Sequence, residues 1–137
     1  MTDKPGTPQD RRKHKRAEDV FIVTYRLRSP FEVAVVAGTR EYAAVAMDIS
    51  EGGIGIDVAQ EIPAGTQVLL KFNIVNELSA SEQHRQRAFS LGGESRYCRL
   101  MKKESYRAGI LFKDASAEDR AFISAYVLDQ ALKKYVS

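Results

Sequence analysis

The sequence predicts a mainly β domain, an antiparallel barrel or sandwich that is followed by one C-terminal helix. Short runs of β-branched and aromatic residues recur along the chain between turn signals, as they do in antiparallel sheets of short strands. After Ser116 the apolar residues change to a helical spacing. The 137 residues, 44% of them hydrophobic, are enough for one domain with a single core.

Seven segments have the composition of β-strands, with turn signals between them. Ser29-Pro30 interrupts the first two, Gly38-Thr39 follows the second, and Pro63-Ala64-Gly65 precedes the fifth. The predicted strands are residues 20–28, 31–37, 41–50, 51–58, 66–74, 88–100 and 105–113. Residues 76–87 are polar and are expected to form a long solvated loop, and residues 101–104 are expected to form a turn.

The C-terminal segment predicts one amphipathic helix over residues 117–135. Ser116 precedes Asp119 by three residues, which is the spacing of a capping box. An apolar stripe at helical spacing is expected to pack on the barrel or on a partner. This stripe consists of Ala121, Ala125, Leu128 and Leu132, widened by Phe122 and Tyr135.

Positive charge is concentrated near the N-terminus. Residues 11–16 carry five lysines and arginines in a chain of net charge +3, so the remaining residues sum to −2 (3 minus 5). Residues 1–10 are expected to be a flexible tail and residues 11–18 a basic arm, ahead of a barrel over about 19–115. Because the positive charge belongs to the arm, the body lacks the basic face of a typical nucleic-acid-binding protein.

The sequence lacks the residues that several classes of function require. Cys98 is the only cysteine, and the two histidines, His14 and His84, have no cysteine or carboxylate at ligand spacing, so no metal site is expected. No catalytic Ser-His-Asp set and no phosphate-binding glycine loop is present, which indicates a protein that is not an enzyme. No apolar run is long enough to span a membrane and no signal peptide is evident, so a cytoplasmic location is expected.

Two short motifs could bind a ligand. Arg12 and Arg16 lie four residues apart, and a guanidinium group binds phosphate in a bidentate manner or stacks on a purine. Asp48 offers two acceptors to the donor edge of guanine, Ser50 offers a hydroxyl, and Gly53 permits positive φ or a close backbone approach. Each motif alone has a plainer interpretation, a solvated charge run for the first and an ordinary turn for the second.

Taken together and in this order, Arg12-x-x-x-Arg16 and Asp48-x-Ser50-x-x-Gly53 closely resemble the motif of the PilZ domain family. The resemblance covers residues 11–137 and implies a six-stranded antiparallel β-barrel with a C-terminal α-helix. It also implies a receptor for the bacterial second messenger cyclic di-GMP, with no other cofactor, that passes the signal to an effector protein.

The resemblance assigns roles to the motif residues. Arg12 and Arg16 would contact the phosphates and guanine faces of the ligand, with Arg11 as an additional basic residue. Asp48 and Ser50 would hydrogen-bond a guanine edge, and Gly53 would allow the tight turn beneath it. The motif does not identify the residue that stacks on the outer guanine, for which the candidates are Arg96, Tyr97 and Arg99.

Five like charges are expected to keep the arm mobile until an anionic ligand neutralises them, after which the arm would fold over that ligand. Two other functions stay open. The domain could be a PilZ-like adaptor that works by protein contacts without a nucleotide, although such relatives usually lose the motif residues. It could also be a small nucleic-acid-binding barrel, but that class usually exposes aromatic residues among basic ones on a strand face.

Overall fold

A computed structural model of the chain describes residues 20–29, 40–82 and 85–136. In this part of the chain six strands form a closed antiparallel barrel in the order β1-β2-β3-β6-β5-β4, followed by one helix. The strands are β1 (Phe21–Ser29), β2 (Tyr42–Ser50), β3 (Gly53–Val58), β4 (Gln67–Val75), β5 (Gln86–Lys102) and β6 (Ser105–Phe112). The helix, α1, is Ala117–Val136. The predicted fold class is confirmed.

The barrel interior is filled by the alternating apolar residues of the strands. In β4, for example, Val68, Leu70, Phe72 and Ile74 are buried while the residues between them are more exposed. This period-2 pattern directs one face of each strand inward and the other to the surface. The ring of Phe72 stacks on that of Phe89 at 4.8 Å between centroids, so aromatic contacts cross from β4 to β5 inside the barrel.

Helix α1 covers one end of the barrel, which we call the helix end. At this end β2, β4 and β6 terminate and β1, β3 and β5 begin, because neighbouring strands are antiparallel. Phe122 meets the ring of Phe89 edge-on at 5.8 Å. Asp129 accepts a hydrogen bond of 2.9 Å from the side chain of Asn76, directly after β4. The helix therefore continues the barrel core.

The predicted capping box is confirmed. The backbone N–H of Asp119 donates to the hydroxyl of Ser116 at 3.0 Å, and the N–H of Ser116 donates to the Asp119 carboxylate at 3.1 Å. Arg87 in β5 also donates to Asp119 at 3.0 Å. Burial opposes ionisation of Asp119, but these hydrogen bonds and the charge of Arg87 outweigh it and lower its pKa.

The apolar stripe was expected to pack on the barrel or on a partner, and among its described side chains Phe122 alone packs on the barrel. Phe122, Ile123, Tyr126 and Val127 form the buried face. Ala121, Ala125, Leu128 and Leu132 are exposed. The helix has two apolar faces, and the one with the larger side chains enters the core because it buries more apolar area.

Both predicted boundaries of β5 also differ from the structure. Residues 101 and 102 continue β5, so only Lys103 and Glu104 form the turn, with Glu104 at a φ of 57°. Residues 86 and 87 begin β5, which shortens the predicted loop after β4. The predicted strand over residues 31–37 and the turn after it lie outside the described residues, as do the tail and the basic arm.

Candidate functional site

The second motif lies on the hairpin between β2 and β3, at the helix end of the barrel. Ser50 pairs with Gly53, and residues 51 and 52 form the turn between them. The N–H of Gly52 donates to the Ser50 hydroxyl at 3.3 Å, and only 4% of Ser50 is exposed. The structure therefore brings Asp48, Ser50 and Gly53 together and gives Ser50 a role in shaping the turn.

Gly53 is required for close packing of backbones. Among the described residues, the glycine with positive φ is Gly65, so Gly53 does not use the left-handed region. A Cβ atom on Gly53 would instead collide with the carbonyl oxygen of Ile110 in β6. The absence of a side chain lets the start of β3 approach β6 and holds the hairpin against the barrel.

Asp48 is directed across the outer face of β3. The pairing of β2 with β3 is irregular between Ala46 and Asp48, which indicates a β-bulge at Met47. The Asp48 carboxylate lies over Gly55, where a Cβ atom would be 2.9 Å from its Oδ1 atom. A bulge redirects side chains locally, and here it places a carboxylate over bare backbone.

The same line of residues continues over two more strands. Gly55 pairs with Gly109 in β6, and Gly109 pairs with Tyr97 in β5. The Tyr97 ring occupies the space that a Cβ atom on Gly109 would fill. A second irregularity lies between Ser95 and Tyr97. We call Asp48, Gly55, Gly109 and Tyr97 the glycine row.

Charged residues border the glycine row on one side. Asp57 and Arg107, the next outward pair on β3 and β6, form a bidentate ion pair. The hydrogen bond to Asp57 raises the pKa of Arg107, partial burial opposes this, and the nearby Asp48 and Tyr97 add to it. Arg99 pairs with Arg107 and lies 5.7 Å from the centroid of the Tyr97 ring.

This arrangement can bind a flat ligand that carries hydrogen-bond donors. The Asp48 carboxylate is an acceptor for paired N–H groups, and Tyr97, a residue 41% exposed, offers a ring face for stacking. The two glycines let the carboxylate and the ring lie directly against the barrel wall on neighbouring strands. Arg99 beside the ring contributes positive charge on the same face.

The first motif precedes the start of β1 along the chain. Arg11, Arg12 and Arg16 lie outside the described residues. Phe21 pairs with Ala46, two positions before Asp48, so the chain enters the barrel next to the second motif. Val20 is four positions after Arg16, a span of at most roughly 14 Å for a fully extended chain.

The three candidates for base stacking occupy different positions relative to the glycine row. Tyr97 lies in the glycine row, Arg99 lies beside its ring, and Arg96 is exposed at the bulge. The sequence analysis missed Gly55, Gly109 and Arg107. The two glycines carried a signal, because a glycine inside a strand pattern often marks a close approach. No sequence signal singled out Arg107.

Within the described ranges no group of three histidine, cysteine or acidic residues could hold a metal ion. No helix in this part of the chain is both long and apolar enough to cross a membrane.

The PilZ domain family matches residues 10–129, which is most of the chain. The chain belongs to the PilZ domain family. Its fold agrees with this assignment. The curated proteins compared with the chain include no match.

Solved structures share the fold at low sequence identity. The Bacillus subtilis inhibitor of motility, MotI/DgrA, superimposes with a TM-score of 0.67 at 21% identity, over 91% of this chain and 53% of that one. This chain therefore spans about half of MotI/DgrA. The PilZ domain of YcgR from Escherichia coli with c-di-GMP gives 0.59 at 15% identity, over 93% and 99%. The MrkH–c-di-GMP complex from K. pneumonia gives 0.52 at 14%, over 93% and 55%.

Proposed function

We propose that this protein is a receptor that binds cyclic di-GMP on the outer face of the barrel, at the glycine row. The observation that carries the proposal is the row itself, which sets a carboxylate over Gly55 and an aromatic ring over Gly109, its cross-strand partner. The chain that bears the arginine motif enters the barrel beside it. Two structures similar to this chain, of YcgR and MrkH, contain c-di-GMP, which supports the choice of ligand.

Each residue then has a chemical role. Asp48 accepts the N1–H and N2–H donors of one guanine, and Tyr97 stacks on a guanine face with Arg99 beside it. Arg12 and Arg16 bind the phosphates and guanine faces, and Arg11 adds charge. Ser50 and Gly53 hold the hairpin that positions Asp48, and the Ser50 hydroxyl can still donate its own proton.

A route from the site to the helix supports a relay function. The carbonyl of Gly52, in the turn of the second motif, accepts a hydrogen bond of 2.9 Å from the N–H of Phe112. Phe112 ends β6, four residues before Ser116, the first residue of the capping box. Ligand binding at this turn would alter the surface of the helix end, and a cytoplasmic effector protein would recognise the altered surface.

The test of the ligand is calorimetric titration of cyclic di-GMP into the purified chain, with cyclic di-AMP as the matched ligand. Both ligands carry the same ring of sugars and phosphates, but adenine lacks the two donors that Asp48 would accept. We expect saturable binding of cyclic di-GMP and at least about tenfold weaker binding of cyclic di-AMP. Equal affinities would contradict recognition of guanine by Asp48.

The test of the arm compares two variants that remove one positive charge each, Arg12→Ala and Lys13→Ala. We expect Arg12→Ala to reduce the affinity by about tenfold or more because a bidentate phosphate contact is lost. Lys13→Ala should have a smaller effect, limited to long-range attraction. No binding by folded, intact protein would overturn the proposal and favour an adaptor that works without nucleotide.

A further inference from the structure

Helix α1 carries a second apolar face on the side away from the barrel. The residues at positions 121, 125, 128 and 132 are alanine, alanine, leucine and leucine, and all four are exposed. Leu128 and Leu132 are each 52% exposed, although a helix on the surface of a monomer usually presents polar residues there. These four residues form what we call the outer stripe.

The spacing of the outer stripe is that of a helix pair. Its residues follow each other by four, three and four positions, which is the heptad spacing of a two-helix seam. The buried face of α1, centred on Ile123 and Tyr126, lies on nearly the opposite side of the helix. A second helix can therefore pack on the outer stripe without disturbing the contact with the barrel.

The outer stripe is complementary to itself when two copies run antiparallel. With the two-fold axis midway between Ala125 and Leu128, Ala125 of each copy faces Leu128 of the other, and Ala121 faces Leu132. Each layer then combines one small and one large side chain, which is the combination that fills a helix interface evenly. A parallel pair in register would instead set alanine against alanine and leucine against leucine.

The helix dipoles favour the same arrangement. An antiparallel pair sets the positive N-terminal end of each α1 beside the negative C-terminal end of the other.

We propose that two copies of this chain form a symmetric dimer through antiparallel packing of α1 along the outer stripe. The contact is isologous, so it closes on itself and does not propagate into a filament. The dimer does not depend on the ligand proposed above. It would place two glycine rows, one on each barrel, in a single assembly.

The first test is sedimentation velocity across a concentration series, with Leu128→Glu as the disrupting variant. Leu100→Glu is the matched control, because Leu100 is 65% exposed in the β5–β6 hairpin, outside the outer stripe. We expect a concentration-dependent dimer of the unmodified chain and of Leu100→Glu. Leu128→Glu should weaken the dimer by about 100-fold or more, since each interface contains the residue twice. A monomer at all concentrations, or a dimer unaffected by Leu128→Glu, would overturn the proposal.

A thiol cross-linking test determines whether the two α1 helices are antiparallel or parallel. In a Cys98→Ala background, chains with Ala121→Cys and chains with Leu132→Cys are treated with a short bis-maleimide, separately and mixed. The antiparallel pair predicts cross-links in the mixture and few in either chain alone, because two copies of position 121 would lie roughly 16 Å apart along the helices. Cross-linking of each variant with itself would show a parallel pair and overturn the proposed geometry.

Discussion

Gly109 determines how closely the Tyr97 ring approaches the barrel wall. The ring fills the space of the absent Cβ, so any other residue at this position would push it outward. In the same way, the Asp48 carboxylate lies against Gly55, where a Cβ atom would collide with it. At the scale of single residues, the site depends on the absence of a side chain at Gly55 and Gly109 as much as on the side chains of Asp48 and Tyr97.

Two variants of Tyr97 distinguish the contribution of its ring to ligand binding from that of its hydroxyl. Tyr97→Phe keeps the stacking face and should bind cyclic di-GMP within about threefold of the unmodified chain. Tyr97→Ala should weaken binding by about tenfold, since stacking of a base on an aromatic ring contributes about 1–3 kcal/mol. Titration calorimetry of both variants checks this, and an unchanged affinity in Tyr97→Ala would remove Tyr97 from the site.

A double-mutant cycle tests the contact between Gly109 and Tyr97. Gly109→Ala should lower the free energy of unfolding by about 1–3 kcal/mol, because the new methyl group collides with the ring. In a Tyr97→Ala background the same change should cost much less. Urea unfolding of the four chains measures the coupling, and purely additive effects would show that the ring is not the obstacle.

At the scale of elements, the N-terminus of α1 is fixed by Ser116, Asp119 and Arg87. These contacts anchor the helix to the first residues of β5. Because the helix covers the end of the barrel, its capping box also stabilises the end at which the site lies.

Asp119→Asn should destabilise the protein at neutral pH by about 1 kcal/mol, because it removes a charged capping partner. The pKa of Asp119 is lowered in the folded protein, so the carboxylate contributes stability above its ordinary value of 3.8 and loses it as the pH falls through the lowered pKa. The difference between the two chains, measured by urea unfolding from pH 7 downward, should therefore shrink in acid. A constant difference would contradict this linkage. Glu118→Gln, next to it in the same turn, is the control and should change stability by less than about 0.5 kcal/mol.

The positions of the strands and the helix could be predicted from the sequence more readily than which face of each is buried. Runs of β-branched and aromatic residues between turn signals located all six described strands, and the change to helical spacing after Ser116 located the helix. The inward face of α1 was not predictable in the same way, because Leu128 and Phe122 belong to two apolar faces and only packing against Phe89 decides between them. The bulges at Met47 and Arg96 leave no local signal in composition.

At the scale of the whole molecule, the closed barrel assembles the site from distant parts of the chain. Asp48 and Tyr97 are far apart in sequence and come into one row because β3 pairs with β6, a pairing of non-consecutive strands. The motif residues of β2 and β3 could be found from the sequence because they are contiguous. The rest of the glycine row required the strand order and the register.

Charge at this scale leads to a prediction for ionic strength. The five positive residues of the arm and a ligand with two phosphates should attract each other through partly screened interactions. Raising the salt concentration from about 50 to 500 mM should weaken cyclic di-GMP binding by about threefold to tenfold. Titrations at both concentrations measure this, and the Lys13→Ala chain should show a smaller dependence. Salt-independent binding would contradict a role for the arm.

The measurement that tests the central claim most directly is calorimetric titration of cyclic di-GMP into the intact chain, alongside Asp48→Ala and Glu41→Ala. Glu41 is the matched acidic control, because it lies just before β2, away from the glycine row, in exposed ion pairs with Arg26 and Lys71. The account predicts saturable binding to the intact chain and to Glu41→Ala, with a loss of about tenfold to 100-fold in Asp48→Ala while that chain remains folded. Absence of binding to the folded intact chain, or equal binding by all three, would contradict it.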